Sequence, residues 1–154
     1  MKILAVFLLS MALVGCFDKT DEQYKTEAFS KVTQSLSQLN PKDPCAMMLA
    51  NKKVMFGDEA NKKIMQMCGF KFDMDKPLSF SEVKIYRNKI VAVCGTVSGH
   101  SRAGSNIGSR FVYLDGDNSH VYIKQHVYGS NENLLSAQKT LLELYNQSEK
   151  EYCK

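Results

Sequence analysis

The chain has 154 residues, of which 44% are hydrophobic and 23% charged, with a formal balance of +4, five cysteines and no tryptophan. That length supports one domain with an ordinary buried core that needs no metal to hold it. So mild a basic balance gives no ground for nucleic-acid binding, and Lys52, Lys53, Lys62 and Lys63 are read as a solvated face.

The N-terminus carries the clearest signal. Lys2 leads a mostly apolar run from Ile3 to Val14, interrupted by Ser10, which closes on Leu13-Val14-Gly15-Cys16. A bilayer core needs roughly 20 apolar residues at helical rise, and this run is too short to span it. The A-x-A-like site of a plain secretory leader is missing, whereas small and aliphatic residues ending in cysteine form a lipobox. Residues 1–15 are therefore expected to be a lipoprotein signal peptide. Cys16 becomes the lipidated N-terminus, bearing diacylglycerol on sulfur and a fatty acyl chain such as palmitate on nitrogen. Two acyl chains already hold a protein stably at a membrane. Residue 17 is Phe rather than the Asp that retains many Gram-negative lipoproteins at the inner membrane. By that likeness the address is the outer membrane, facing the periplasm.

Residues 16–25 are read as a lipidated tether and 26–154 as a single α+β domain. From Asp18 to about Leu39, Phe29, Val32, Leu36 and Leu39 recur at three- and four-residue steps, which predicts an amphipathic helix ended by Pro41 and Pro44. Asp43-Pro44 opens a second helix with Ala46, Met47, Leu49, Ala50, Val54 and Met55 as its stripe. Asp58 is expected to cap a third, which runs through Ala60, Ile64, Met65, Met67 and Cys68 to a stop at Gly69. The methionines at 47, 48, 55, 65, 67 and 74 could attract a soft metal. Their helical spacing and flexibility point instead to core filling.

After Pro77 the period becomes two. Val83 and Ile85 alternate with Glu82, Lys84, Tyr86 and Arg87, Asn88-Lys89 turns the chain, and Ile90 to Val97 is nearly continuous in apolar residues. Arg110–Asp115 and His120–Val127 are two more strands joined across Gly116-Asp117-Asn118. Short connections predict an antiparallel meander of about four strands over about 82–127. One connection, 98–109, is long: three glycines, four serines, His100, Arg102 and Asn106 cannot supply a core, and such a loop is a candidate binding element. A final helix, capped by Ser130 or Asn131, offers Leu134, Leu135, Ala137, Leu141, Leu142, Leu144 and Tyr145 to the sheet. Helices gathered on one side of an antiparallel sheet make the α+β class.

With Cys16 carrying lipid, Cys45, Cys68, Cys94 and Cys153 remain, an even set suited to an oxidising space. Four cysteines allow three connectivities. The pairing expected is Cys45 with Cys68, stapling two helices, and Cys94 with Cys153, tying the end of the last helix to a central strand.

Reactive groupings are sparse. Cys94 near His100 could be written as a nucleophile pair, but a cysteine in an apolar strand reads as half of a disulfide. Ser98 or Ser101 with His120 or His126 and Asp115 or Asp117 can be written as a triad, yet no G-x-S-x-G elbow accompanies them. His120 and His126 on one strand would stand about 20 Å apart, too far to share a metal. No catalytic residue, metal site or cofactor beyond the covalent lipid is expected.

Val83-Lys84-Ile85-Tyr86-Arg87-Asn88, Val93-Cys94-Gly95-Thr96-Val97 and Gly108-Ser109-Arg110-Phe111-Val112 together resemble a pattern of small uncharacterised Gram-negative envelope lipoproteins. In these a Cys-Gly-x-Val strand is followed by a Gly-rich loop and an Arg-Phe-aliphatic strand. The resemblance spans roughly residues 80–115. It implies an exported small domain and no particular activity. Where the loop of that group tends to hold an aromatic residue and paired glycines, this chain has His100, Arg102 and Ser105. The function expected is a noncatalytic interaction module that meets an envelope protein partner through His100, Arg102 and Asn106. One alternative is an inhibitor of an exogenous hydrolase, since a Ser-Gly loop before a strand resembles inhibitors of C-type lysozyme. An exclusion or immunity lipoprotein and a hydrolase are the others.

Overall fold

A computed structural model describes residues 19–38, 45, 47, 49, 57–127 and 132–154. The lipobox, Cys16, Leu39, the prolines at 41 and 44, most of the second stripe and the caps proposed at 130 and 131 lie outside the described residues. The elements are α1 (Asp21–Gln38), α2 (Asp58–Cys68), β1 (Ser79–Arg87), β2 (Val91–His100), β3 (Asn106–Leu114), β4 (His120–Ile123) and α3 (Glu132–Tyr152). The strands form one antiparallel sheet in the order β1-β2-β3-β4, the expected α+β meander.

The two central strands explain the layering. Along β2, Val93 and Val97 point to one face and Ala92 and Cys94 to the other, and all four are buried. A strand apolar on both faces needs cover on both. Here the expectation of helices on one side is corrected, because α1 and α3 lie on opposite faces. On one face Tyr24, Ala28, Val32 and Leu36 of α1 meet Val93, Val97, Phe111, Tyr113 and Ile123. Their four-residue spacing forms a single stripe down the helix. Phe29 flanks it, stacked on Phe80 with ring centroids 4.1 Å apart. The helix starts at Asp21 and Tyr24 is in the core, so residues 21–25, read from sequence as tether, belong to the folded body.

On the other face Tyr145 is buried against Ala92, Cys94, Val112 and Leu114, with Leu142, Tyr152 and Cys153 packed around it. The apolar face expected for α3 is rotated relative to the one observed. Leu141 and Leu144 are exposed while Gln138 and Ser148 are buried. Two tethers set that rotation: the Cys94–Cys153 disulfide, with its Cα atoms 6.1 Å apart, and an Arg110–Glu149 ion pair at 2.9 Å.

The second disulfide, Cys45–Cys68, joins Ile64 in a small third cluster beside Leu49 and Ala103. Both pairings are those expected from sequence. Asp58 is not the cap of α2: Gly57 occupies that position without a side-chain hydrogen bond, and Asp58 is the first helical residue. Met47, Met65 and Met67 are exposed rather than core-filling, and Met74 alone among the described expected ones packs against the main core. They stand on the outer side of short helical stretches whose inner side is taken by Ile64 and the disulfide.

Edge strand β1 carries an irregularity between Ser81 and Lys84, with Glu82 at φ 54°. A bulge of this kind bends an edge away from further strand pairing. In the sheet interior Gly95 makes room: a Cβ there would sit 3.1 Å from the Phe111 ring and from Val83 Cγ2. We predict that Gly95→Ala lowers stability by about 1–3 kcal/mol through overpacking, measured as a shifted denaturation midpoint with an unchanged slope. An unchanged midpoint would contradict this packing.

Candidate functional site

The residues expected to form a long loop are mostly strand. β2 continues through His100 and β3 begins at Asn106, with Val97 opposite Ser109, Ser98 opposite Gly108, Gly99 opposite Ile107 and His100 opposite Asn106. The 98–109 loop is thereby corrected to a reversal at 101–105. Its glycines and serines suit close strand packing, since a Cβ on Gly99 would come within 2.8 Å of Leu78.

Buried Ser101 organises that reversal. Its N–H donates to Ser105 O at 2.7 Å, its carbonyl accepts from Gly104 N at 2.9 Å, and its hydroxyl accepts from Ser105 N at 3.1 Å. The segment after α2 fastens the turn from outside: Arg102 N donates to Lys71 O, and Asp73 N donates to His100 O, both at 2.8 Å.

His100 and Asn106 come together across the ladder and line an open cleft with Pro77, Ser79, Ser98, Gly99, Ile107 and Gly108, about 470 Å³ in volume. Arg102 does not line it, so the structure brings two of the three candidate residues together and leaves Arg102 outside the cleft. Ser79 and Pro77 were not foreseen. They enter because β1 starts three residues earlier than the alternation at Val83 and Ile85 suggests, bringing Ser79 opposite Ser98.

The cleft lies on the sheet face that α3 shares. Ser79, Ser98, His100, Asn106 and Gly108 follow the same alternation as Cys94 and Ala92. Helix α3 ends at Tyr152, and Cys153 is bonded to Cys94 midway along β2. Beyond that point the face is lined by Thr96, Ser98, Ser79 and Glu82, where Thr96 Oγ1 donates to Glu82 Oε2 at 3.1 Å. Hydroxyls, an imidazole and a carboxamide both donate and accept hydrogen bonds, which suits a polar partner.

The other chemistry considered from sequence is not assembled. Cys94 is a disulfide and carries no thiol. Ser101 is 1% exposed and its hydroxyl serves the turn. His126 lies past the end of β4 and stacks on Phe70 at 4.7 Å, while His120 lies against Tyr122. Among the described residues no group of three His, Cys, Asp or Glu could hold a metal ion.

The opposite end of the sheet carries a cluster that sequence reasoning missed. Lys19 Nζ donates to Glu27 Oε2 at 2.7 Å and to Asp115 Oδ1 at 2.6 Å. The Tyr113 hydroxyl, fully buried, donates to the same Asp115 oxygen at 3.0 Å. The hydrogen bonds to Asp115 and then Glu27 raise the Lys19 pKa. Burial first, then Glu27 and Asp115, raises that of Tyr113. Lys19 in turn holds the Glu27 carboxyl below its usual range. Nearby Arg87 Nη2 pairs with Asp21 at 2.5 Å, and both Lys19 and Arg87 lie over the Tyr24 ring. Lys19 and Asp115 are 96 residues apart, so no local spacing announces them.

No family model, curated protein or solved structure matches the chain.

Because Glu27 has a depressed pKa in the fold, its contribution is complete above the ordinary glutamate range and disappears as pH falls through the folded value. Stability should therefore drop between about pH 5 and pH 3, and Glu27→Gln should flatten that part of the profile. Tyr113→Phe should cost about 1–3 kcal/mol by leaving the carboxylates short of a donor. Denaturant titration at several pH values checks both, and a profile identical for wild type and Glu27→Gln would contradict the assignment.

Proposed function

We propose that the chain is a lipid-anchored envelope lipoprotein, held through Cys16 at the outer membrane on its periplasmic side, that binds an envelope partner without catalysing a reaction. The lipobox supports the anchor. Two disulfides fit an exported protein. No helix among the described residues is long and apolar enough to cross a membrane. The resemblance of residues 80–115 to small Gram-negative envelope lipoproteins points the same way.

The observation that carries the binding role is the polar sheet face that, among the described residues, is left open where α3 stops. Ser79, Ser98, His100 and Asn106 stand together there around the cleft. Strands that are buried on both faces over one half and bare over the other half of one face offer a flat, hydrogen-bonding surface on a rigid support. Partners are read more reliably by such surfaces than by mobile loops. The N-terminal clamp is at the other end of β2 and β3, a separation of roughly 30 Å at strand rise. The cleft is thus presented away from Lys19.

Photo-crosslinking in intact envelopes tests this. A photoreactive residue at Ser98 or Asn106 should give one discrete adduct, and His100→Ala should reduce its yield severalfold. The same residue at exposed Leu141 should give none. Adducts of equal yield from the cleft and from Leu141, or none from the cleft, would overturn the proposal. A cleft adduct with an added muramidase, together with slowed muramidase activity, would identify the partner as a hydrolase and the protein as its inhibitor.

A further inference from the structure

The clamp at Lys19 limits how far the folded body can stand from an acyl anchor at Cys16. Only Phe17 and Asp18 lie between the two positions, and each of the three Cα–Cα steps is 3.8 Å, so Cys16 lies within about 11 Å of Lys19 in any conformation. Lys19 is not a loose end. Its ammonium is held by carboxylates from α1 and from the residue that follows β3, and a second pair, Arg87–Asp21, joins the end of β1 to the first turn of α1. Asp115 N also donates to Val91 O at 2.9 Å, which locks the β1–β2 turn beside the β3–β4 turn. The tip of the first turn is Asn88, Lys89 and Ile90, all exposed, with Ile90 39% accessible. The second turn exposes Gly116, Asp117 and Asn118.

We propose that this end of the sheet is a membrane-contact surface, with Ile90 inserted at the headgroup–acyl boundary of the bilayer that holds Cys16 and Lys89 at the phosphates. The proposal rests on the lipoprotein reading and adds an orientation to it. The partner is the lipid surface itself, argued from the short chain and where it is fastened. Charge is not the driving feature, because Lys19, Arg87 and Lys89 are outnumbered here by Asp21, Glu27, Asp115 and Asp117. An isoleucine carried to the boundary by a covalent anchor needs little intrinsic affinity, since the anchor supplies a high effective concentration. Long side chains such as Lys89 place their stems against the apolar layer while the ammonium stays with water and phosphate. The strands run away from this surface, so the Ser79–Asn106 cleft faces outward from the membrane.

The test uses the mature acylated protein purified from membranes and reconstituted in phosphatidylethanolamine–phosphatidylglycerol vesicles with brominated acyl chains. Lys89→Cys and Asn106→Cys each carry an environment-sensitive fluorophore. Quenching at position 89 should exceed that at position 106 severalfold, with little dependence on salt. Adding Ile90→Ser to the labelled Lys89→Cys protein should lower the quenching at 89 without altering flotation with the vesicles. Equal, weak quenching at both sites in protein that floats with the vesicles overturns the orientation and leaves the anchor standing. Protein that fails to float, with an intact mass lacking lipid, overturns both.

Discussion

One ammonium group gives the molecule its direction. Lys19 is the first described residue, and it bridges Glu27 of α1 to Asp115 at the end of β3. The bond joins the residue just before α1 to a sheet whose central strands come much later in sequence. Each of its ion pairs taken alone would be worth little, since exposed pairs contribute about 1 kcal/mol or less. The arrangement differs from an isolated surface pair because the buried Tyr113 hydroxyl shares the same carboxylate oxygen and Tyr24 packs beneath it. A satisfied network of this kind specifies geometry more than it adds stability. Its consequence is that α1, about 27 Å long at helical rise, is fixed in both position and direction along the sheet.

The second constraint is covalent. Cys153 follows directly on α3 and is bonded to Cys94 in the middle of β2. In the chain-entropy account, closing a loop of 59 residues contributes about 4 kcal/mol. Its effect on function is through placement. A helix forced to finish at the midpoint of a strand covers half of a sheet face, and no other described element covers the rest. On the bare half the side chains are Ser79, Thr96, Ser98, His100 and Asn106, which can face water, whereas the covered half holds Ala92, Val112 and Leu114, which cannot. The division between buried and open surface therefore follows the composition of the strands themselves.

The α+β meander, the presence of two disulfides and the order of the elements are legible because they depend on local period and on cysteine parity; parity leaves three connectivities open, and the fold selects Cys45–Cys68 and Cys94–Cys153. Val93, Val97, Ala92 and Cys94 announce a strand covered on both sides by being apolar at every position, although the sequence alone suggested helices on one face. The 98–109 segment misled through composition: glycine and serine usually mark loops, and here they permit close approach to Leu78 and to the neighbouring strand. For α3, hydrophobicity pointed to Leu141 and Leu144, but a helix rotation is set by tertiary partners, here Cys94 and Arg110, which no local window contains. The clamp was invisible for the same reason. Lys19, Glu27, Tyr113 and Asp115 are unremarkable residues whose meaning arises only when the fold brings them within hydrogen-bond reach.

The direction of the molecule depends on Lys19 standing at one end of the sheet and the polar cleft at the other. Pulsed electron resonance between spin labels measures this directly, with one label at position 18 and the second at position 89 or position 106. The account predicts a short, narrow distance for 18–89 and a distance longer by an order of 25–30 Å for 18–106, the span of the strands between them. Broad distributions of similar mean for the two pairs would show that Lys19 is not fastened beside Asp115, and the proposed direction of the molecule would be lost.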